Sequence, residues 1–553
     1  MMRRPFVGSA GKKLDELLSS AGIVRSACRI ENVFQFRPIN NDASLFVDPN
    51  KRRESAEFIL AKEQLLQRLS LCSANVIVPL GNIPLYTLTV LANITKRRGS
   101  ILETPNGRKI IPTIHPSAAL RQYLYEHYIL HDLALILKES AFPEVKYLDR
   151  HLILSPTFQE ALDYIRDCYN YKCIACDIEV RGDEVSHISL AKSAIDAICI
   201  PFIEGSNDYF TPEQEAIIWR ELAKLLEAEK PRKLGQNLAF DATFLHSRLG
   251  ICMHSIDDTM VAQGVIFPDF PKGLDFLTAS YCEGEPYYKD EGKRWRKNPF
   301  GSEEKFRRYS AMDSAVPQQI FPSQVTDMFR LGNQNTYREQ VAIIEPLVFM
   351  QEHGILVDIA GKNNASLDCT QKIKEKKEGL NKLCEREINP NSHKQLKDYF
   401  YITKGLKPYT KEGSSTTDES ALKRIAARGY KEASLVLEIR HLVKMKGTYY
   451  DMVIDEDNRL RCSFNPVGTV SGRISSSKTI FGTGGNMLNL PDEMKKFLIA
   501  DPGYIMISID LSQAENRVVA YIANELRMIE AFEKGIDIHK ETASLIFGIP
   551  YNQ

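Results

Sequence analysis

A chain of 553 residues, 43% hydrophobic and 26% charged, has the composition of a folded multidomain protein with ample core. Lys plus Arg equal Asp plus Glu at 71 each, so no bulk basic charge announces nucleic acid; binding would need local patches such as Lys51-Arg52-Arg53, Lys96-Arg97-Arg98 or residues 293–297 around Trp295. No apolar run approaches the roughly 18 residues of a membrane span and no apolar segment follows Met1 to Arg4, which argues against a membrane protein or secretory signal and for the cytoplasm.

In chain order, the first segment (residues 1–142) mixes helical patterns such as residues 12–21 with apolar runs such as residues 74–80, an α/β reading. Three units stand out: Pro5-Phe6-Val7-Gly8, Asn32 ahead of Arg37-Pro38, and HPSAALR from His115. Together they resemble the uracil-DNA glycosylase superfamily, most closely its iron–sulfur members. The resemblance implies that Phe6 stacks on a flipped base, Asn32 reads its edge and His115 stabilises the leaving base. The acidic loop that positions water in active relatives normally precedes Pro5, and Phe36 stands where a cluster cysteine is expected. The expectation is therefore a DNA-gripping or architectural unit with no iron–sulfur cluster.

The eleven cysteines are odd in number and follow no regular spacing, which fits a reducing compartment. Cys173 and Cys176 lie in a strand-like run, where residues three apart point to opposite faces, so a shared metal is not expected.

The second segment (residues 146–328) is again α/β. Asp177 and Glu179 are two apart in the run from Cys173, so on a strand both carboxylates project from one face. Two adjacent carboxylates repel, and a shared cation removes that conflict. Hairpin-like strands follow at residues 185–191 and 195–202, then a strand running into a helix that carries Asn237 and Asp241. Tyr309 and Asp313, four apart, share a helical face. The three units resemble, in order, the motifs of the DEDDy 3′ to 5′ proofreading exonucleases, which have a ribonuclease H-like fold. The resemblance implies that Asp177, Glu179, Asp241 and Asp313 hold two magnesium or manganese ions, that Tyr309 orients the attacking water, that Asn237 contacts DNA, and that single-stranded 3′ ends are the substrate.

The third segment (residues 335–553) turns helical, with Ile373, Leu380, Leu383 and Cys384 expected on one face of a long charged helix, an exposed loop at residues 411–418, and strand-like runs near Arg461 and Tyr504. The apolar run of residues 504–510 would place Asp510 at the tip of a buried strand. DLSQAENR from Asp510, with Arg473 and Asn486-Met-Leu-Asn489 upstream and Asp537-Ile-His539 downstream, resembles the palm of family A DNA polymerases. That resemblance implies a thumb and palm of α+β class, with Asp510 and the Leu511 carbonyl on a metal, two ions per site. Gln513, Glu515 and His539 would meet the deoxynucleoside triphosphate, with Glu515 excluding ribonucleotides, while Arg473, Asn486 and Asn489 would meet the primer-template.

In that family a fingers helix and a second palm carboxylate follow this region, so the expectation is that polymerisation draws on a complementary C-terminal fragment. The three-part arrangement resembles polymerases of bacteriophages and would place the chain in a bacterial host's cytoplasm. Two other readings are a stand-alone 3′ to 5′ exonuclease and a non-catalytic replisome scaffold.

Overall fold

The computed structural model describes residues 5–38, 42–282, 285–290, 292, 302–411 and 413–551. In the first unit, helix α1 (Ser9–Ser20) buries Leu14, Leu17 and Leu18, the i, i+3, i+4 stripe of an amphipathic helix. Helix α2 (Ala56–Ser70) starts where the Ser55 hydroxyl accepts from the Phe58 amide, and α3 (Asn82–Thr89) and α4 (Leu124–Glu139) are the other long helices, beside single turns at Ile94–Arg97 and Pro116–Ala119. The expected strand at residues 74–80 is reduced to isolated parallel bridges, Ile77 to Ile110 and Leu80 to Thr113. Pro79 and Pro112 lack the amide donors that a longer ladder needs.

The second unit is built on β1 (His151–Ile153), α5 (Phe158–Asp167), β2 (Cys173–Arg181), β3 (Glu184–Ser193) and β4 (Asp196–Pro201), then α6 (Pro212–Glu227) and β5 (Arg232–Gly235). It continues through α7 (Leu238–Leu249), β6 (Ile256–Asp258), α8 (Thr259–Ile266), α9 (Leu274–Tyr281) and α10 (Glu303–Leu331). Capping boxes at Thr157/Glu160 and Thr211/Gln214 fix the starts of α5 and α6.

The six strands form one mixed sheet in the order β6-β5-β2-β3-β4-β1. Strand β2 runs parallel to β5 and antiparallel to β3. Alternation sorts the residues of β2: Ile174, Cys176 and Ile178 enter the large core with α5, α6 and α7, while Ala175 packs on the other face with Ala191, Cys199, Ala311 and Ala315. These small side chains let α10 lie close over the sheet. Asp177 and Glu179 share the parity of Ala175, so they face α10.

The third unit contains α11 (Gln334–Ala342), α12 (Ile344–His353), β7 (Ile355–Val357), α13 (Ile359–Cys384), α14 (Glu419–Ala426) and α15 (Lys431–Lys444). Short strands β8 (Arg459–Leu460), β9 (Ser463–Asn465), β10 (Ser475–Ser477) and β11 (Leu498–Ile499) precede α16 (Ala514–Ile522) and α17 (Ile538–Phe547). Strand β7 lies antiparallel between β8 and β11, and β9 pairs with β10. Leu380 and Cys384 of α13 are buried against α14 and α15, whereas Leu383 is 45% exposed because the buried stripe is narrower than the apolar pattern suggested. Asp418 ends the polar loop by accepting from the Ala421 amide and so caps α14.

The three segments are not insulated from one another. Leu274, Phe276 and Met312 of the second segment join the core of the first, and Tyr337, Val341, Ile344 and Val467 of the third join the core of the second. The run at residues 504–510 forms no strand, and Ile505, Ile507 and Ile509 are 82%, 70% and 87% exposed. A strand needs a neighbour for its amides and carbonyls, and none of the described residues supplies one.

All eleven cysteines are free thiols; Cys176 is buried and Cys173 half-buried. No helix among the described residues is long and apolar enough to cross a membrane.

Candidate active sites

The register of β2 against β3 pairs Asp177 with Ser189 and Glu179 with His187, and a bulge follows Glu179. Helix α10 lies across this face, tied down by the Ser314 hydroxyl at 2.6 Å from that of Ser189, and brings Asp313 to the strand carboxylates. Carboxylate oxygens of Asp177, Glu179 and Asp313 all lie within 4.8 Å of one another. Among the described residues no hydrogen-bond partner reaches Asp177 Oδ2, although the atom is sealed from solvent. A buried, unsatisfied carboxylate oxygen inside a cluster of hard oxygen donors suits a divalent cation such as magnesium or manganese.

Burial first, then the charges of Asp241, Asp313 and Glu179, pushes the Asp177 carboxyl well above the usual carboxylate range. Asp241, in the first turn of α7, stands apart from the tight triad. Its Oδ1 accepts from the Ile178 amide at 2.8 Å, and burial raises its pKa to about 7 against the lowering effect of the backbone donors. Asn237 takes a left-handed conformation at the start of α7 and turns the chain from β5 into that helix. Tyr309 is buried beneath Phe306, with ring centroids 5.8 Å apart, and burial followed by the Asp313 charge raises its phenol far above the ordinary value. It therefore stays protonated and can hold a water but not act as a base.

Two residues that pattern reading did not single out complete this site. Tyr288 donates its hydroxyl to Asp313 Oδ1 at 2.8 Å, and Lys289 Nζ lies 2.5 Å from Asp313 Oδ2 and 3.3 Å from the Tyr309 hydroxyl. Both come from a loop segment after α9 that carries no motif, so no local signal could have found them.

In the third unit Arg473, Asp510, Leu511, Gln513, Glu515 and His539 line one open cleft of about 470 Å³, shared with Ile509, Ala514 and Asn516. Gln513, left-handed at the start of α16, reaches Asp537 Oδ1 at 3.4 Å, and Asp537 caps α17 by accepting from the His539 and Lys540 amides. Asn516 lies 3.4 Å from His539 Nε2. Arg473 is ion-paired to Glu515 across the cleft. Asn486 and Asn489 are not part of that lining: Asn486 Oδ1 accepts from Ser476 of β10, and the Asn489 carbonyl accepts from Tyr449.

In the first unit Phe6 stacks on His115, with centroids 5.5 Å apart and planes at 27°. His115 Nδ1 accepts from the Ser117 amide at 3.1 Å, which leaves the ring proton on Nε2, and burial lowers the imidazole pKa so that it is neutral. Asn32 takes no part in that stack; its backbone carbonyl accepts from Arg68.

Of the three basic patches, Lys96-Arg97-Arg98 is not a free surface. Arg97 and Arg98 are buried, paired respectively with Asp290 and Asp132, because complementary carboxylates from distant segments meet them there. Arg53 donates to the Ser44 carbonyl beside the exposed Lys51 and Arg52. Residues 293–297 lie outside the described residues.

Models of three families match successive parts of the chain: the uracil DNA glycosylase superfamily over residues 1–134, a 3′-5′ exonuclease over 155–323, and DNA polymerase family A over 361–553. DNA polymerase I of Rhizobium leguminosarum is 30% identical over 364 residues, covering 63% of this chain and 35% of that protein. The DNA polymerase of Bacillus phage SP01 is 23% identical over 647 aligned positions, covering 99% of this chain and 69% of its own. The chain thus spans about a third of the Rhizobium relative's length. The fold is similar to the POL domain of Pol1 from M. smegmatis, solved in complex with DNA primer-template and dNTP, at a TM-score of 0.59 and 20% identity over 73% of this chain and 68% of that one. The chain thus carries, in order, a segment matching the uracil DNA glycosylase superfamily, a 3′-5′ exonuclease segment and a DNA polymerase family A segment.

Proposed function

We propose that the second unit removes nucleotides from single-stranded 3′ ends and that the third contributes one catalytic face of a templated DNA polymerase. The observation that carries the first part is the cluster of Asp177, Glu179 and Asp313 around a buried, unpartnered Asp177 Oδ2, with Tyr309 alongside. Asp177, Glu179, Asp241 and Asp313 would hold two divalent ions, magnesium or manganese, which lower the pKa of an attacking water and neutralise the leaving 3′ oxygen. The protonated Tyr309 hydroxyl orients that water toward the phosphorus. Asn237, at the mouth of α7, is assigned to the single-stranded end.

Nucleotide release from single-stranded 3′ ends in magnesium, with a chelator control, tests this reading. Asp177→Ala should abolish release while DNA binding survives; undiminished release would remove Asp177 from the site.

For polymerisation, Asp510 would hold a metal with the Leu511 carbonyl, Gln513, Glu515 and His539 would face the deoxynucleoside triphosphate, and Arg473, Asn486 and Asn489 the primer-template. The gathering of six of these residues on one cleft supports the assignment. Occupation of the nucleotide site would have to part Arg473 from Glu515. The exposed alternating Ile505, Ile507 and Ile509 have the pattern of a strand awaiting neighbours. The Phe6 and His115 stack of the first unit is assigned to gripping DNA rather than to base excision.

A further inference from the structure

The exonuclease carboxylates are not flanked by their own domain alone. Residues 285–290 run between the first unit and the α10 face of the sheet, and both sides of this strap are fixed. On the outer side, Arg97 of the first unit pairs with Asp290 and lies over the Tyr287 ring at 4.8 Å, and Ile101 bridges to Pro286. Arg150 grips Glu285 with both terminal nitrogens, at 3.1 and 2.8 Å. On the inner side, Tyr288 and Lys289 engage the two oxygens of Asp313. The Lys289 and Asp313 side chains are 19% and 5% exposed, so that pair is poorly screened by water, while Arg97 is 7% exposed against 30% for the outer Asp290.

We infer that Lys289 competes with a divalent ion for Asp313, and that the glycosylase-like unit, through Arg97, holds Lys289 in that position. An ammonium on one oxygen of a metal ligand contributes positive charge where a dication must add two more. The like charges repel through a poorly screened interior, so the ion that depends most on Asp313 binds less tightly. Tyr288 reinforces the effect by taking the other oxygen. The first unit thereby acquires a role in the same chain that needs no base excision: it sets how readily the exonuclease fills its second metal position. Deep burial of Arg97 in an ion pair across two units, rather than on a DNA-facing surface, is what such a role requires. The inference rests on the exonuclease reading.

The test is a manganese titration of the metal-stripped full-length chain without DNA, read from the paramagnetic resonance signal of free Mn2+. Lys289→Met should tighten the weaker class of Mn2+ about tenfold, or about 1.4 kcal/mol. Lys289→Arg, which keeps the charge, should stay at the parent affinity, and Lys289→Gln should behave as Lys289→Met. Arg97→Met, distant from the carboxylates, should shift the same class in the same direction by roughly threefold. Combined with Lys289→Met it should add nothing, as expected when one residue acts through the other.

Unchanged or weakened Mn2+ binding in both Lys289→Met and Lys289→Gln would overturn the competition. A shift in those variants with none in Arg97→Met would overturn the part assigned to the first unit. Absence of Mn2+ binding in every form, including the parent chain, would instead sink the exonuclease reading itself.

Discussion

Replacing Asp177 by asparagine keeps the side chain's shape and removes one charge from the middle of the exonuclease cluster. The relevant oxygens lie within 4.8 Å of one another, so each pair of unit charges repels by roughly 3 kcal/mol at an effective dielectric of about 20. Burial and the neighbouring carboxylates hold Asp177 well above the ordinary range, so part of that repulsion is already relieved by protonation. A net gain on the order of 1–2 kcal/mol remains for Asp177→Asn in chelator, which for a unit of this size raises the melting temperature by roughly 2–8 °C. If the cluster holds magnesium or manganese as proposed, the same change should cancel the stabilisation that the ion would confer and reduce nucleotide release to background. Calorimetric scans at one fixed rate, with chelator and with Mn2+, read both effects. A variant that melts lower than the parent in chelator, and still gains stability from Mn2+, would show that Asp177 is held by ordinary structural contacts and that the cluster is not a metal site.

Asp241 gives a pH signature. Its pKa is raised from 3.8 to about 7, so the folded state binds the proton more tightly than the unfolded chain does. Its contribution is full below about pH 4 and lost as pH rises through about 7, up to about 4 kcal/mol in metal-free protein. Asp241→Asn should flatten that slope in denaturant titrations across this window, and an unaltered slope would remove Asp241 as its source. For the first unit, whose Phe6 and His115 stack is assigned to gripping DNA, uracil-containing single- or double-stranded DNA should acquire no alkali-labile sites. Catalytic accumulation that disappears in His115→Ala would show the opposite. In the third unit Asp510 is exposed, so Asp510→Ala should change stability by less than about 0.5 kcal/mol. Templated primer extension by any assembly that contains this chain should be lost in the same variant. Undiminished extension in Asp510→Ala, with Asp177→Ala suppressing degradation, would remove Asp510 from the polymerase site.

Much of the carboxylate cluster proposed as the exonuclease site was legible in the sequence because its signals are local. The period of two along residues 173–179 put Asp177 and Glu179 on one face, and a spacing of four put Tyr309 and Asp313 on one side of α10; both follow from backbone geometry alone. The grouping of Asp510, Gln513, Glu515 and His539 around one cleft rests on two helix starts, at the left-handed Gln513 and at Asp537, which caps α17. Other features depended on residues far apart in the chain. Arg97 meets Asp290, 193 positions away, and this converts a basic patch that read as a nucleic-acid surface into a buried clasp. Lys289 reaches Asp313 from a segment with no periodicity and no motif. The run at residues 504–510 has the alternation of a buried strand, yet it stays exposed because pairing requires a second strand at hydrogen-bonding distance. Sequence alone determined which side chains share a face, since that is fixed by dihedral periodicity within one element. Only the tertiary structure decided which faces meet and which charges are paired, since those depend on desolvation and contact between elements that the linear order keeps apart.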